Sequence, residues 1–598
     1  MSIPIEDYAL LSNCRTAALV SREGSIDWLC VPRLDSGSVF GALLGDEDHG
    51  CWSLRPVDAK ATATRHYDGD TLILVTRWES ANGIAEVHDV MPIGKHGSVA
   101  EDRGDVIRRI VGVKGLVEFD HTLRLRFDYA RAMPWVRQVG TDETPELVAM
   151  AGPDAVVLRG ARAVASDHVH TGKIAVAEGQ SVDLSLTWFP SYHQPPERLD
   201  VDDAVERTRA WWQDWADKIE HAGPHRDEVV RSLVILRALT NHVTGGIAAA
   251  VTTSLPEDFG GVRNWDYRYV WLRDAALTLE ALLDHGFIKV AAHWREWLLR
   301  AVAGDPADLQ IMYGLAGERD LAEREMPSLP GYEGSAPVRV GNGAALQYQA
   351  DVIGEVLVTL AAARDAGLNE SAFSWPLEKK LVAQAARQLD RPDNGLWEIR
   401  GDPHMFTHSR VMVWATFDRA IRAVEVHGLD GPVAKWRELR SRVKAEIDEH
   451  GVTDGHFTQY YGTTEVDASL LLLPQVGFCA PDDERMLATV AKIEGDLLQD
   501  GLLRRYRNNT GVDGLAGEEY PFLACSFWLV EQYAATDRLD EAHALMDRLC
   551  GLVNDVGMLS EEYDIENRRQ AGNTPQAFSH LALVRAADAL ARARHKPR

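Results

Sequence analysis

The spacing of apolar residues changes once along the chain, near residue 205, and that change restricts the fold to a sheet-built part followed by a helix-built part. Before it the period is two, as in Thr122-Leu123-Arg124-Leu125-Arg126-Phe127 and Val182-Asp183-Leu184-Ser185-Leu186-Thr187-Trp188. Alternation of that kind makes strands with one buried face. Segments 71–78, 106–113, 146–150 and 155–158 continue the style, separated by Gly, Asp and Asn turns, so residues 1–205 are expected to form an antiparallel β-sandwich. Beyond it, apolar residues recur every three or four positions, as in Val229, Leu233, Leu236 and Leu239.

Segment 202–218, with three tryptophans, reads as a connecting helix, and 206–227 as a helical linker. Further helical patterns fall at 228–242, 273–285, 288–302, 346–366, 377–388, 410–427, 432–448, 466–473, 485–499, 523–535, 539–553 and 575–593. The last is expected to open with Thr574 as cap and Pro575 in the first turn. Long helices joined by irregular loops suggest a helical toroid over 228–598 whose loops at one end build a site.

Composition narrows the function. Hydrophobic residues make up 45% and charged residues 26% of 598, enough for large cores and incompatible with disorder. Lys and Arg total 63 against 90 Asp and Glu, a net charge of −27 that repels phosphate backbones and anionic membrane faces. With no basic run to override it, neither nucleic acid nor membrane is an expected partner. The opening MSIPIEDYALL is acidic where a secretory signal is positive, so a cytoplasmic location is expected. The six cysteines (14, 30, 51, 479, 525 and 550) include no CxxC pair and read as reduced, mostly buried thiols. Seventeen tryptophans suit either large cores or walls for sugar rings.

There is no Walker A run, GxGxxG, HExxH or GxSxG. His404 and His408 are four apart but follow Asp402-Pro403, and no Cys or Glu completes a ligand set, so neither metal nor cofactor is expected. What remains are acidic and aromatic clusters in loops. Asn264-Trp265-Asp266-Tyr267-Arg268-Tyr269-Val270-Trp271-Leu272-Arg273-Asp274 places planar donors and acceptors beside aromatic rings, as sugar hydroxyls require; a structural ion pair capping a helix is the plainer reading. Asp393-Asn394-Gly395-Leu396-Trp397-Glu398 delivers a carboxyl group beside an indole, where an apolar ring would favour a protonated acid; the plainer reading is a surface glutamate. Ser560-Glu561-Glu562-Tyr563-Asp564 packs three acidic groups into four residues, which need either tasks or open solvent.

Together with Gly24-Ser25-Ile26-Asp27-Trp28-Leu29-Cys30-Val31-Pro32-Arg33 and Asn573-Thr574-Pro575-Gln576-Ala577-Phe578-Ser579-His580, these segments resemble the glucoamylase and trehalase family of inverting glycoside hydrolases, family 15, over nearly the whole chain. The resemblance implies a β-sandwich followed by an (α/α)6 barrel. It also implies Glu398 as catalytic acid and Glu561 as catalytic base, Arg273 and Asp274 as the grip on the terminal glucose, and Tyr267, Trp271 and Trp397 as walls. Arg505-Tyr506 is similar to a further sugar-binding pair, although the residues after it depart from the family pattern. Glu562 stands where the family often has Gln, leaving the choice between Glu561 and Glu562 to the three-dimensional arrangement, and Gly395 stands where some members have Asp.

The resemblance thus implies an exo-acting α-glucoside hydrolase that releases β-glucose from short α-glucosides, with trehalase as the alternative reading. A phosphorylase would dispense with the base, and a non-catalytic sugar-binding protein would be expected to lack one carboxylate. A small oligosaccharide or disaccharide is the expected partner, with a homo-oligomer left open.

Overall fold

The computed structural model describes residues 2–94, 103–141, 144–221, 223–515 and 517–594. An antiparallel N-terminal domain comes first, made of two sheets that share one strand, Gly104–Arg124. The first half of that strand pairs with Ser181–Pro190 and Gly83–Val90. Its second half pairs with Val169–Ala177 and Cys51–Pro56. Sequence pattern divides it into 106–113 and 122–127, because Gly112-Val113-Lys114-Gly115 breaks the alternation. The backbone instead runs through, and Val113 is accommodated as a bulge where the register slips beside Ile84 and Ala85. Gly112 is needed at this point, since a Cβ there would stand 2.1 Å from the Ala177 carbonyl oxygen.

Inside this domain, Trp28, Trp52, Leu54, Leu74 and Phe119 are buried in a core that continues without a break into the helical part. That part consists of α1 (Val201–Ala216), α2 (Arg226–Leu239), α3 (Leu272–Asp284), α4 (Ile288–Ala301), α5 (Val352–Asp365), α6 (Ser374–Arg387), α7 (Thr407–Glu425), α8 (Val433–His450), α9 (Glu484–Leu497), α10 (Leu523–Ala535), α11 (Leu539–Cys550) and α12 (Ala577–Arg594). Contacts run from α3 to α5, α7, the short 3-10 helix Ala468–Leu472, α10, α12 and back to α3, closing a ring. The other helices from α2 onward pack outside it. Burial follows this layering: α10 is apolar and buried around nearly its whole circumference, whereas α8 buries only Trp436, Val443 and Ile447.

Two local expectations change. Segment 466–473 forms a single 3-10 turn within the ring, with Asp467 accepting from Ser469 N as its cap. The last helix begins at Ala577 rather than Pro575: the Thr574 N–H is bound to Thr252 Oγ1, and the Ala577 N–H to the Ala249 carbonyl, so both are committed to a neighbouring segment.

The two parts are fastened where the site is built. Trp28 Nε1 donates to the Val251 carbonyl at 2.8 Å. Arg268, fully buried, donates to Asp266, to the Ser36 carbonyl at 2.9 Å and to the Tyr129 hydroxyl at 2.9 Å. Tyr129 lies in a turn where Asp128, Tyr129 and Ala130 have φ of 53°, 58° and 61°, a left-handed conformation that is costly for non-glycine residues.

Candidate active site

Segment 264–271 is threaded through two short strands, Asn264–Asp266 and Val270–Trp271, into the start of α3. Its side chains divide by direction: Arg268 faces the N-terminal domain, while Trp265, Tyr267 and Trp271 line a cavity of about 730 Å³, mouth included. Arg273 and Asp274, in the first turn of α3, line it too, as do Trp397, Glu398, Arg505 and Glu561. Residues spread over nearly 300 positions of sequence therefore meet in one pocket. His404 and His408 do not form a pair: His404 stacks on Tyr460 at 4.1 Å, and His408 is buried within α7.

Glu398 is reached through a tight turn. Gly395 has φ +67°, and a Cβ there would fall 2.9 Å from the Phe406 ring. Glu398 itself has φ +59°, a strained conformation held by Gln347, whose amide donates to the carbonyls of Glu398 at 3.1 Å and Ile399 at 3.2 Å. Buried Asp393 braces the same turn by accepting from Ala350 N, Gly395 N and Ser409 Oγ. The aromatic partner of Glu398 differs from the expected apolar ring face. It is the N–H edge of Trp271, which donates to Oε1 at 2.5 Å, with Arg273 Nη2 3.6 Å from the same oxygen. Arg273 also donates to Gln349 Oε1 at 3.0 Å, and Gln349 donates to Gln347 Oε1 at 3.2 Å. Hydrogen bonds from Arg273 through Gln349 and Gln347 reach the Glu398 carbonyl, and the ion pair of Arg273 with the Glu398 carboxylate closes the circuit.

Glu561 precedes the strand Glu562–Asp564 and accepts from the Tyr267 hydroxyl at 2.7 Å. Gly572 lies against it, and a Cβ there would be 2.6 Å from Glu561 Cβ. Burial raises the Glu561 carboxyl above its ordinary range, and Glu257 adds to this, whereas Arg505 and the Tyr267 hydroxyl favour the ionised form. Burial likewise raises Asp274, to about 6, against the pull of Arg273.

Glu562 points away from the cavity. Its Oε2 accepts from Tyr520 N at 3.0 Å, and Oε1 lies 3.6 Å from Arg505. Burial holds its carboxyl well above the usual range. It belongs to a charge network that sequence reasoning missed, whose Glu257, Arg263 and Arg505 line one wall of the pocket. There Arg505 binds Glu519 and Glu257, and Arg263 binds Glu519 and Asp513. Arg505 Nε donates to Glu519 at 3.1 Å, and Nη2 donates to Glu519 at 2.5 Å and to Glu257 at 3.1 Å. Asn342, Arg400, Tyr506 and Phe522 also line the pocket, with Arg400 lying over the Trp265 ring at 4.1 Å.

Comparison with known proteins identifies the class. The model of glycosyl hydrolases family 15 matches residues 223–588, and that of the trehalase-like N-terminal domain matches residues 1–185. The chain belongs to glycosyl hydrolases family 15 and is a glycoside hydrolase acting on O-glycosidic bonds. It is 36% identical to a trehalase of Mycobacterium tuberculosis over 98% of this chain and 89% of that one. It is 33% identical to trehalase 1 of Sulfolobus acidocaldarius over 97% and 98%. Among solved structures it is similar in fold to a bacterial glucoamylase complexed with acarbose, with a TM-score of 0.74 and 12% identity over 99% of this chain and 94% of the other. Among the described residues no helix is long and apolar enough to cross a membrane.

Proposed function

We propose that the protein is an inverting trehalase that hydrolyses α,α-trehalose to two glucose molecules. Glu398 acts as general acid and Glu561 as general base. The observation that carries the mechanism is that the two carboxyl groups share one pocket and are held by different hydrogen-bond donors on a single segment, Tyr267 for Glu561 and Trp271 for Glu398. In this reading Glu398 protonates the bridging oxygen as the bond from it to one anomeric carbon breaks. A water molecule attacks that carbon from the opposite face and gives its proton to Glu561, an arrangement that needs carboxyls roughly 6.5 to 9.5 Å apart. Arg273 and Asp274 hold the hydroxyls of the ring under attack, and Trp271, Tyr267 and Trp397 wall it. Arg505 contributes from the pocket wall as part of the charge network.

Sequence alone ranks short α-glucosides first and trehalose second, and whole-chain likeness to proteins named trehalase reverses that order. The closed ring of helices supports an (α/α)6 barrel with the 3-10 turn as one inner member. The two strand-sharing sheets support a β-sandwich, with domains at 1–205 and 228–598 joined by the linker 206–227.

Inversion has a distinctive consequence for this substrate. The attacked glucose leaves as the β anomer while its partner keeps the α configuration, so proton NMR of early product is expected to show equal amounts of both. Two α products would indicate retention. Side by side with maltose, isomaltose, kojibiose and nigerose, trehalose is expected to show kcat/KM at least about 100-fold higher, because a buried polar subsite rejects a leaving group that leaves its hydrogen bonds unmade. Preference for maltose or isomaltose would return the assignment to a glucoamylase-type enzyme.

A further inference from the structure

Outside the catalytic cavity, α11 ends at Cys550 beside the start of α2. Cys550 Sγ lies 3.6 Å from His225 Nδ1, and a carboxylate oxygen of Glu228 lies within 4.8 Å of both atoms. None of the three lines the catalytic cavity. His225 occupies the position before α2 with φ +67°, yet its side chain makes no capping hydrogen bond to the helix. The imidazole makes its contacts away from the helix end. That ring faces the thiol through Nδ1 and approaches Asp547 Oδ1 at 3.5 Å through Nε2.

The spacing has a specific chemical meaning. In tetrahedral zinc coordination, with Zn–S about 2.3 Å and Zn–N about 2.0 to 2.1 Å, sulfur and nitrogen ligands stand about 3.5 Å apart. The imidazole also has a carboxylate on its far nitrogen, the arrangement that fixes the tautomer and orientation of metal-bound histidines. A thiolate, an imidazole and a carboxylate together suit zinc and its late first-row neighbours rather than calcium or magnesium, which prefer oxygen alone. Two carboxylates beside a thiol also create a negative site that a divalent cation neutralises as the thiol proton leaves.

We propose that Cys550, His225 and Glu228 bind one zinc-type divalent cation, with Asp547 orienting His225 and water completing the tetrahedron. The cation would clip the first turn of α2 to the end of α11. The rival arrangement is a weak hydrogen bond between thiol and imidazole, and cobalt(II) distinguishes the two.

Full-length protein treated with chelator and titrated with cobalt chloride is expected to take up one equivalent at the site. Thiolate-to-cobalt absorption in the near ultraviolet and tetrahedral bands in the visible should accompany uptake, and zinc chloride should displace both. Cys550→Ser should abolish the charge-transfer band, and His225→Gln and Glu228→Gln should each weaken binding at least tenfold. Sugar hydrolysis by the metal-free variants should stay within about twofold of metal-free wild type, showing that they are folded. No cobalt–thiolate absorption with cobalt in tenfold excess, or absorption that survives Cys550→Ser, would overturn the proposal.

Discussion

The rings of Tyr267 and Trp271 meet edge to face 5.4 Å apart, and their polar tips diverge to different carboxylates, the hydroxyl to Glu561 and the indole N–H to Glu398. Two residues four apart in sequence thus connect carboxyl groups contributed by distant loops. The positions of the two carboxyl groups are referred to one short piece of backbone.

If Glu398 is the acid and Glu561 the base, Glu398→Gln and Glu561→Gln each lower kcat by about 10²- to 10⁴-fold while the far-ultraviolet circular dichroism stays that of wild type. The roles separate by rescue. Azide restores part of the turnover of Glu561→Ala, whose missing group activates the nucleophile, and does nothing for Glu398→Ala.

Glu562→Gln is expected to keep kcat within about tenfold of wild type. Burial raises its carboxyl above the ordinary range and it faces the charge network instead of the cavity, so an amide of the same shape is a mild change. A kcat loss matching that of Glu561→Gln would transfer the role of base to Glu562.

The acid limb of kcat/KM is expected above the ordinary carboxylate range, because Glu561 must be ionised to act and burial raises its pKa. Tyr267→Phe removes a donor that favours the ionised form, so the limb moves further up, by about one pH unit for a hydrogen bond of 1.5 to 3 kcal/mol partly replaced by water. A limb that stays in place or moves to lower pH would dissociate Tyr267 from the base.

Gln347→Ala is expected to lower kcat about 10- to 100-fold with KM little changed, because it frees the left-handed turn at Glu398 without touching the pocket wall. Gln347→Glu supplies a check, since it fills the same space but cannot donate to either carbonyl. Recovery of activity in this variant would mean that shape, not the hydrogen bonds, holds the turn.

A stability prediction comes from Asp588 on α12, which bridges His221 at 3.0 Å and His285 at 3.2 Å. The hydrogen bond to Asp588 raises the pKa of His221, so its contribution is full below the ordinary imidazole value and is lost as pH rises through the raised one. Burial alone would raise Asp588, but the hydrogen bonds from His221 and His285 bring it to about 2, so its contribution is present above about pH 4 and is lost as pH falls through that lower value. The Tm deficit of Asp588→Asn should therefore be largest between about pH 4 and 6.5, a matter of a few degrees, and shrink in alkali. Calorimetry across that range checks it.

The parts of this molecule that can be read from sequence are those whose signal is local. Apolar periodicity locates α3, α4 and α10 within a residue or two, and the short motifs holding Tyr267, Trp271, Arg273, Trp397, Glu398 and Glu561 all come to the same cavity. The charge network does not announce itself. Glu257, Arg263, Asp513 and Glu519 are drawn from segments about 250 residues apart, and none sits in a patterned stretch. Their meaning depends on burial together, which only the closed ring of helices creates. The long strand Gly104–Arg124 reads as two for a similar reason: a bulge and two glycines look like a turn until the partner strands on either side are known.

Arg268 carries a consequence for how such a protein can be dismembered. Its guanidinium reaches into the N-terminal domain while its neighbour Tyr267 reaches Glu561, so the two domains hold opposite sides of the same ribbon of chain. The N-terminal domain is thus less an appendage than the mould against which the chemistry is cast. The helical ring produced alone would keep both carboxylates but lose the backing that sets their common reference, and it should bind sugar poorly and turn it over worse. Recombination among relatives would face the same constraint, because a foreign N-terminal domain must reproduce the Ser36 carbonyl and the left-handed turn at Tyr129 before the borrowed catalytic half can work.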